Sequence, residues 1–287
     1  MFLGDYRVEI IPDTEFRLDG GAMFGVVPRV LWERVCPPDE LNRIRLNMNC
    51  VFIETHSEKI LIETGIGVKW SEKESRMYGI FREKPFVRSL YDNTGYHPED
   101  ITIVVNTHLH FDHAGGNTVN SGHVENDDRN FATSVPQFRN ARYFVSQSEF
   151  SHAEHPHERD RASYLSANWQ PLLDSGQLEL KPNNYEVVDG LQMETIVGHS
   201  KTMQTWRLDR GGQTLYGFAD LIPTRHHVSL PWIMGYDLYP AETLEFKKQV
   251  LPRAIEENWS CLFYHDFEFP ICRLIVENGK VRAVEAN

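Results

Sequence analysis

Apolar residues fall mostly in short runs, alternating or continuous, separated by Gly, Asn and Pro turn signals, which is the pattern of many short strands. Tyr6–Ile11, Cys50–Glu54 and Lys59–Glu63 have strand composition, with a hairpin turn expected at Thr55–Glu58. A polar mixed stretch, Lys69–Glu83, leads to a short helix over Phe86–Asn93, for which Gly95 supplies the stop. Ile101–Val105 is β-branched, too short for a helix, and apolar enough for a buried central strand. Val119–Gln137 is polar and irregular and reads as a surface insertion. A strand at Ala141–Ser146 and a helix at Gln147–Glu154 follow. Leu178–Lys181, Tyr185–Val188, Met193–Val197, Gln204–Leu208 and Thr214–Phe218 are further strands. Glu242–Trp259 is the best long helix, which Pro252 should kink or interrupt. Strands at Ser260–Tyr264, Ile271–Val276 and Val281–Glu285 close the chain, the last two joined by a turn at Asn278-Gly279.

Interleaved strands and helices without an internal repeat or linker fit a layered mixed α/β sandwich, taken as one domain over residues 1–287. Composition agrees: 41% hydrophobic and 24% charged residues suffice for a sizeable core. The formal net charge of −12, from 41 acidic and 29 basic residues, argues against nucleic acid or an anionic membrane as partner, since such binding rests on phosphate neutralisation. It does not describe a local metal site, which can be positive inside an acidic protein. Cys36, Cys50, Cys261 and Cys272 form no CxxC pair, and Cys50 and Cys261 read as small core residues of strands. Met1–Phe16 lacks a basic segment followed by an apolar one, and no apolar run approaches the ~18 residues of a membrane span. A cytoplasmic protein with no membrane contact is expected.

The chemistry concentrates at His108-Leu109-His110-Phe111-Asp112-His113, where the strand Ile101–Val105 ends and before Gly115-Gly116 breaks the chain again. Loops at the C-terminal ends of strands are where α/β folds usually carry their reactions. Side chains at i and i+2 of an extended loop point the same way, so His108 and His110 can grip one ion together. Asp112 and His113, after the turn, can face a second. Imidazole nitrogen and carboxylate oxygen are good zinc donors, and catalytic zinc keeps a position open for water. With 13 histidines in the chain, a His-rich turn also arises by chance. His152-Ala153-Glu154-His155-Pro156-His157 is as metal-like in composition, yet no strand feeds it, and it reads as an exposed, solvated segment.

Thr107–Asn117 carries HxHxDH and resembles the signature of the metallo-β-lactamase superfamily. Three distant segments resemble the family's remaining ligands in order: Val197-Gly198-His199-Ser200, Gly217-Phe218-Ala219-Asp220 and Tyr264-His265-Asp266. The steps are 86 residues from His113 to His199, 21 to Asp220 and 45 to His265. The resemblance implies an αββα four-layer sandwich and two Zn²⁺ per chain, other divalent transition metals being compatible with the same donors. It places His108, His110 and His199 on one ion and Asp112, His113 and His265 on the other, with Asp220 bridging. In that setting a hydroxide held by the ions attacks the substrate, and Asp112 is the candidate to carry a proton to the leaving oxygen.

Ligand identity narrows the activity that the resemblance implies. The commonest β-lactamases of the family place cysteine where Asp220 stands, diiron flavoproteins place glutamate where His110 stands, and processing nucleases add an RNA-gripping arm or domain not visible here. Ligand order and spacing are most similar to quorum-quenching lactonases and methyl parathion-type phosphotriesterases, the long step from His113 to His199 being nearer the latter. Opening of lactones or cleavage of carboxylic esters is therefore expected, with phosphotriester hydrolysis, or thioester hydrolysis of the glyoxalase II type, as alternatives. Pro223 stands where those lactonases carry a tyrosine, and Tyr164, Tyr236 and Tyr239 are open as substitutes. Met23-Phe24 and Trp232-Ile233-Met234 would give an apolar wall for a small neutral or apolar ester-type substrate, weighed against ordinary core packing. His226 and His227 would donate at the mouth, weighed against simple surface histidines, and association as a homodimer is left open.

Overall fold

The structure is a computed structural model and describes residues 1–121 and 134–286. Among these are sixteen strands. The first nine are β1 (Phe2–Leu3), β2 (Tyr6–Asp19), β3 (Arg43–Glu54), β4 (Lys59–Ile62), β5 (Ile103–Val105), β6 (Thr118–Asn120), β7 (Ser134–Pro136), β8 (Arg142–Ser146) and β9 (Leu178–Lys181). They are followed by β10 (Asn184–Val188), β11 (Leu191–Thr195), β12 (Gln204–Arg210), β13 (Gln213–Gly217), β14 (Ser260–Leu262), β15 (Ile271–Glu277) and β16 (Lys280–Glu285). One seven-stranded sheet has the order β1-β2-β3-β4-β5-β8-β9 and a second the order β10 to β16 in sequence.

The described chain divides into two compact units. The first takes residues from Met1–Phe2, Tyr6–Thr14 and Cys50–Pro182, and the second from Leu3–Asp5, Glu15–Asn49 and Asn183–Asn287. In the first unit, β4, β5, β8 and β9 are mutually parallel. Their apolar runs are continuous because both faces are covered: Ile60, Leu61, Ile62, Val104 and Val105 are fully buried. In the second unit the sheet is an antiparallel meander except where β14 lies parallel to β13. The helix Pro240–Glu256 makes the crossover that a parallel pair requires.

Most expected elements are present, with instructive differences at their ends. β2 and β3 run well beyond Tyr6–Ile11 and Cys50–Glu54, and β2 continues past Pro12. In β3 the added residues alternate from Arg43 to Met48, Ile44, Leu46 and Met48 buried and Arg45 exposed, a period-two signal over polar letters. Ser71 and Glu74 form a capping box that starts a helix at Glu72–Met77 inside the polar stretch. Pro252 does not interrupt its helix. Both it and Lys248, whose carbonyl loses its intrahelical partner, are exposed, so that carbonyl is not left buried and unsatisfied. The hairpin of β15 and β16 turns at Asn278-Gly279, both in the left-handed region as a two-residue turn demands. Of the expected insertion at Val119–Gln137, residues 122–133 lie outside the described residues, while its ends pair as the β6–β7 ladder. Cys50 and Cys261 are buried in strands, as expected. Among the described residues no helix is long and apolar enough to cross a membrane.

Candidate metal centre

In the first unit the motif forms as β5 ends. His110 occupies the N-cap position of a one-turn helix, Phe111–Ala114, so Asp112 and His113 sit within that turn. His108, His110, Asp112 and His113 are all buried. The His108 ring centroid lies 4.5 Å from that of His110 and 4.1 Å from that of His113. Two buried carboxylates shape this loop, and neither was singled out from sequence. Glu63 accepts from Thr107 N at 3.0 Å and Asn106 Nδ2 at 3.2 Å, and its Oε1 stands 3.4 Å from His113 Nδ1. Glu149 accepts from Leu109 N at 2.8 Å and from the Tyr164 hydroxyl at 3.0 Å. Glu63 follows directly on the apolar strand β4 in a left-handed conformation, and Ser146 caps the helix that carries Glu149.

Gly115 and Gly116 are needed where the chain leaves the motif. A side chain at either would collide with the carbonyl oxygen of Ile66 or Thr64, respectively. Lys69 fastens the same exit, its ammonium donating to Gly115 O at 2.5 Å and Thr118 O at 2.7 Å. Burial lowers its pKa to about 7.

The second unit brings His199, Asp220 and His265 together by topology. β13 and β14 are parallel with Gly217 opposite Leu262, so the chain leaves both strands at the same sheet edge. Asp220 comes three residues after Gly217 and His265 three residues after Leu262. His265 Nε2 lies 3.1 Å from Asp220 Oδ1, and His199 Nε2 lies 3.5 Å from Asp220 Oδ2. Each histidine thus faces a different oxygen of one carboxylate. The carbonyl of Asn47 can only accept, so His265 Nδ1, 3.0 Å away, donates to it and leaves Nε2 with a lone pair toward Asp220. His199 Nδ1 stands 3.1 Å from Asp237 Oδ1, an acidic partner that sequence reasoning missed.

These donors fit metal ions. Two ligands of one tetrahedral Zn²⁺ stand roughly 3.3 Å apart when each bond is about 2.0 Å, close to both histidine–aspartate separations in this unit. The set offers imidazole nitrogen and carboxylate oxygen without thiolate, suited to zinc and its divalent neighbours.

Other expected residues fall elsewhere. Tyr164 is buried with its hydroxyl held by Glu149, and burial raises its pKa well above the usual phenol value, so it stays a proton donor to that carboxylate. Tyr236 is half-exposed, and Tyr239 N donates to Gly198 O. Met23 and Phe24 are core residues of the second unit, Phe24 stacking on Trp32 and His227 and meeting Trp232 edge-on. His227 is fully buried between Met23 O and Thr224 Oγ1, and burial lowers its pKa to about 3, so it is a neutral core residue and not a donor at a mouth. His226 does line a cleft of about 270 Å³ with Arg45, Thr224, Arg225, His265 and Phe267. A cavity of about 350 Å³ between the second sheet and the helix Pro240–Glu256 carries none of the expected ligands. In the second histidine run, His155 and His157 are exposed as expected, whereas His152 is half-buried against Asp160 at 2.8 Å.

Comparison with known proteins agrees with the motif. Residues 44–170 match the metallo-β-lactamase superfamily. A crystal structure of a probable metal-dependent hydrolase from Staphylococcus aureus is 30% identical, superposes with a TM-score of 0.87 and covers 100% of both chains. A dizinc quorum-quenching lactonase superposes with a TM-score of 0.78 at 18% identity, over 100% of this chain and 96% of that one, which speaks for the fold. The chain belongs to the metallo-β-lactamase superfamily and has its mixed α/β fold, as the motif implied. Its relatives there include the N-acyl homoserine lactonase of Bacillus thuringiensis, 28% identical over 237 residues, 78% of this chain and 83% of the relative. The match to the Bacillus cereus N-acyl homoserine lactonase, also 28% identical, spans 57% of this chain and 59% of that enzyme's length.

Proposed function

We propose that this chain is a dinuclear zinc hydrolase that opens lactones or cleaves carboxylic esters, its two units acting as a single catalytic domain. The observation that carries the reading is Asp220, whose two oxygens each face the Nε2 of a different histidine, as a carboxylate shared by two ions requires. Kinship with N-acyl homoserine lactonases supports the substrate class. In this reading His108, His110 and His199 hold one ion, and Asp112, His113 and His265 the other, with Asp220 between. When bound, two Zn²⁺ supply an acidified water and a Lewis acid for the substrate carbonyl. The chain's residues do the rest. Glu63 and Glu149 fix the loop that presents His108 and His110, so the donors are aimed before substrate arrives. Asp112 takes up the proton released in the attack and delivers it to the leaving oxygen.

The test is a panel of homoserine lactones, aryl esters, thioesters and phosphotriesters on zinc-loaded protein, with His110→Ala as control. Lactone or ester turnover lost in His110→Ala supports the reading, and turnover unchanged in that variant overturns it. One observation favours a second reading, phosphotriester hydrolysis. Pro223 provides no hydroxyl three residues past Asp220, and the Tyr164 hydroxyl is held by Glu149. A lactone-selective enzyme of the related kind would place a tyrosine there. Faster turnover of an aryl phosphotriester than of any lactone would establish that alternative.

A further inference from the structure

We infer that Asp237 is a positioning residue for His199, fixing which imidazole nitrogen is offered to metal and so setting the affinity of the ion that His199 serves; this rests on the dinuclear reading above. His199 Nδ1 and Asp237 Oδ1 are 3.1 Å apart, and the other carboxylate oxygen, Oδ2, accepts from Thr243 Oγ1 at 2.7 Å. A carboxylate in this position only accepts, so Nδ1 carries the proton and Nε2 keeps its lone pair, turned toward Asp220. The opposite tautomer would set a lone pair against the carboxylate at Nδ1 and a proton where a metal would bind.

The arrangement is built from three segments of the second unit. Leu238 N donates to His199 O at 3.0 Å and Tyr239 N to Gly198 O at 2.9 Å, so a short ladder delivers Asp237 beside the histidine. Thr243 lies in the first turn of the helix Pro240–Glu256 and is fully buried, as is Asp237 to within 3%. Gly198 makes the approach feasible, because a side chain there would press within 2.6 Å of Thr243 Oγ1 and collide with Leu221. Four residues along the same helix face, Lys247 donates to the carbonyls of Ser229, Leu230 and Trp232, at 2.6, 3.2 and 2.9 Å. One helix face therefore steadies both Asp237 and the segment leading to it.

A carboxylate behind a metal-binding imidazole raises its basicity as well as orienting it, and loss of such partners weakens metal by about 10–100-fold. His108 and His265 meet neutral groups at Nδ1, Thr107 Oγ1 and Asn47 O, whereas His199 meets a carboxylate at 3.1 Å, so His199 should respond more than either of these two to loss of its partner.

The experiment measures zinc affinity by chelator competition, and the visible spectrum of cobalt-loaded protein, for wild type, Asp237→Ala, Asp237→Asn and Thr243→Val. Circular dichroism and unfolding of the metal-free forms check that each variant folds. Wild type should bind two ions, and Asp237→Ala should weaken one of them by about 10–100-fold with a changed cobalt spectrum. Asp237→Asn, whose amide oxygen still accepts from Nδ1, should recover part of that loss, and Thr243→Val should show a smaller one. If Asp237→Ala does not fold, Asp237→Asn and Thr243→Val decide the matter by the same readouts. Two ions bound with wild-type affinity and spectrum in every folded variant overturns the role of Asp237 and leaves the dinuclear reading standing. A folded wild type that binds no zinc overturns both.

Discussion

The two units supply candidate ligands in opposite ways. In the first, four fall within six consecutive residues, and local geometry aims them: an extended loop for His108 and His110, then one helical turn for Asp112 and His113. In the second, three ligands are drawn from positions 199, 220 and 265, and strand topology aligns them. Both units then use the same device behind the ligands, a lysine clamping backbone carbonyls: the half-buried Lys69 on Gly115 and Thr118, and the buried Lys247 on Ser229, Leu230 and Trp232. The lesson is that a compact motif is easily damaged by changes beside it, whereas a dispersed one depends on what fixes each strand end.

The largest expected effect breaks the comparison at its shared point. Asp220→Ala should cost metal at both sites, because its oxygens face two histidines, while His110→Ala should cost chiefly one. Metal analysis after dialysis checks this, and equal losses in the two variants would contradict a bridging role. Next comes backbone crowding. Gly116→Ala in the first unit forces a side chain against Thr64 O, and Gly198→Ala in the second forces one against Thr243 and Leu221. Each should lower unfolding stability by about 1–3 kcal/mol in urea titrations, and Gly198→Ala should in addition weaken zinc.

A smaller effect, on the pH dependence of stability, is expected from the two lysine clamps alike. Burial lowers both Lys69 and Lys247 to about 7 from the usual 10.5, so across that window the folded chain binds fewer protons than the unfolded one. Their contribution to stability is therefore least favourable below about pH 7 and rises as pH climbs toward 10.5. Lys69→Met and Lys247→Met should each flatten part of that slope in urea midpoints measured between pH 6.5 and 9.5, and a wild-type midpoint falling over this range would refute the assignment. The smallest effect is expected at the second histidine run. His155→Ala and His157→Ala are exposed changes and should alter stability by less than about 0.5 kcal/mol, with metal content unchanged.

The contrast also explains what was legible in the sequence. His108–His113 could be read because strand, motif and glycine exit are contiguous, and the β15–β16 hairpin because Asn278-Gly279 names its own turn. His199, Asp220 and His265 were found only through resemblance, since no local pattern says that β13 and β14 will lie parallel. Asp237, Glu63 and Glu149 escaped notice because a buried carboxylate looks like any surface acid until its partners are in place. The early start of β3 was hidden by alternating polar letters, and the helix at Glu72–Met77 by the polar character of all its residues but Met77. Phe24 and His227 were misleading in the other direction, because residues suited to a pocket wall or mouth pack equally well in a core.

Anomalous diffraction at the zinc edge from zinc-loaded crystals would locate the ions themselves. Two peaks per chain are expected under the proposed function, one bound by His108, His110 and His199, the other by Asp112, His113 and His265, with Asp220 contacting both. A single peak, or zinc held by other residues while these seven stand apart, would contradict it.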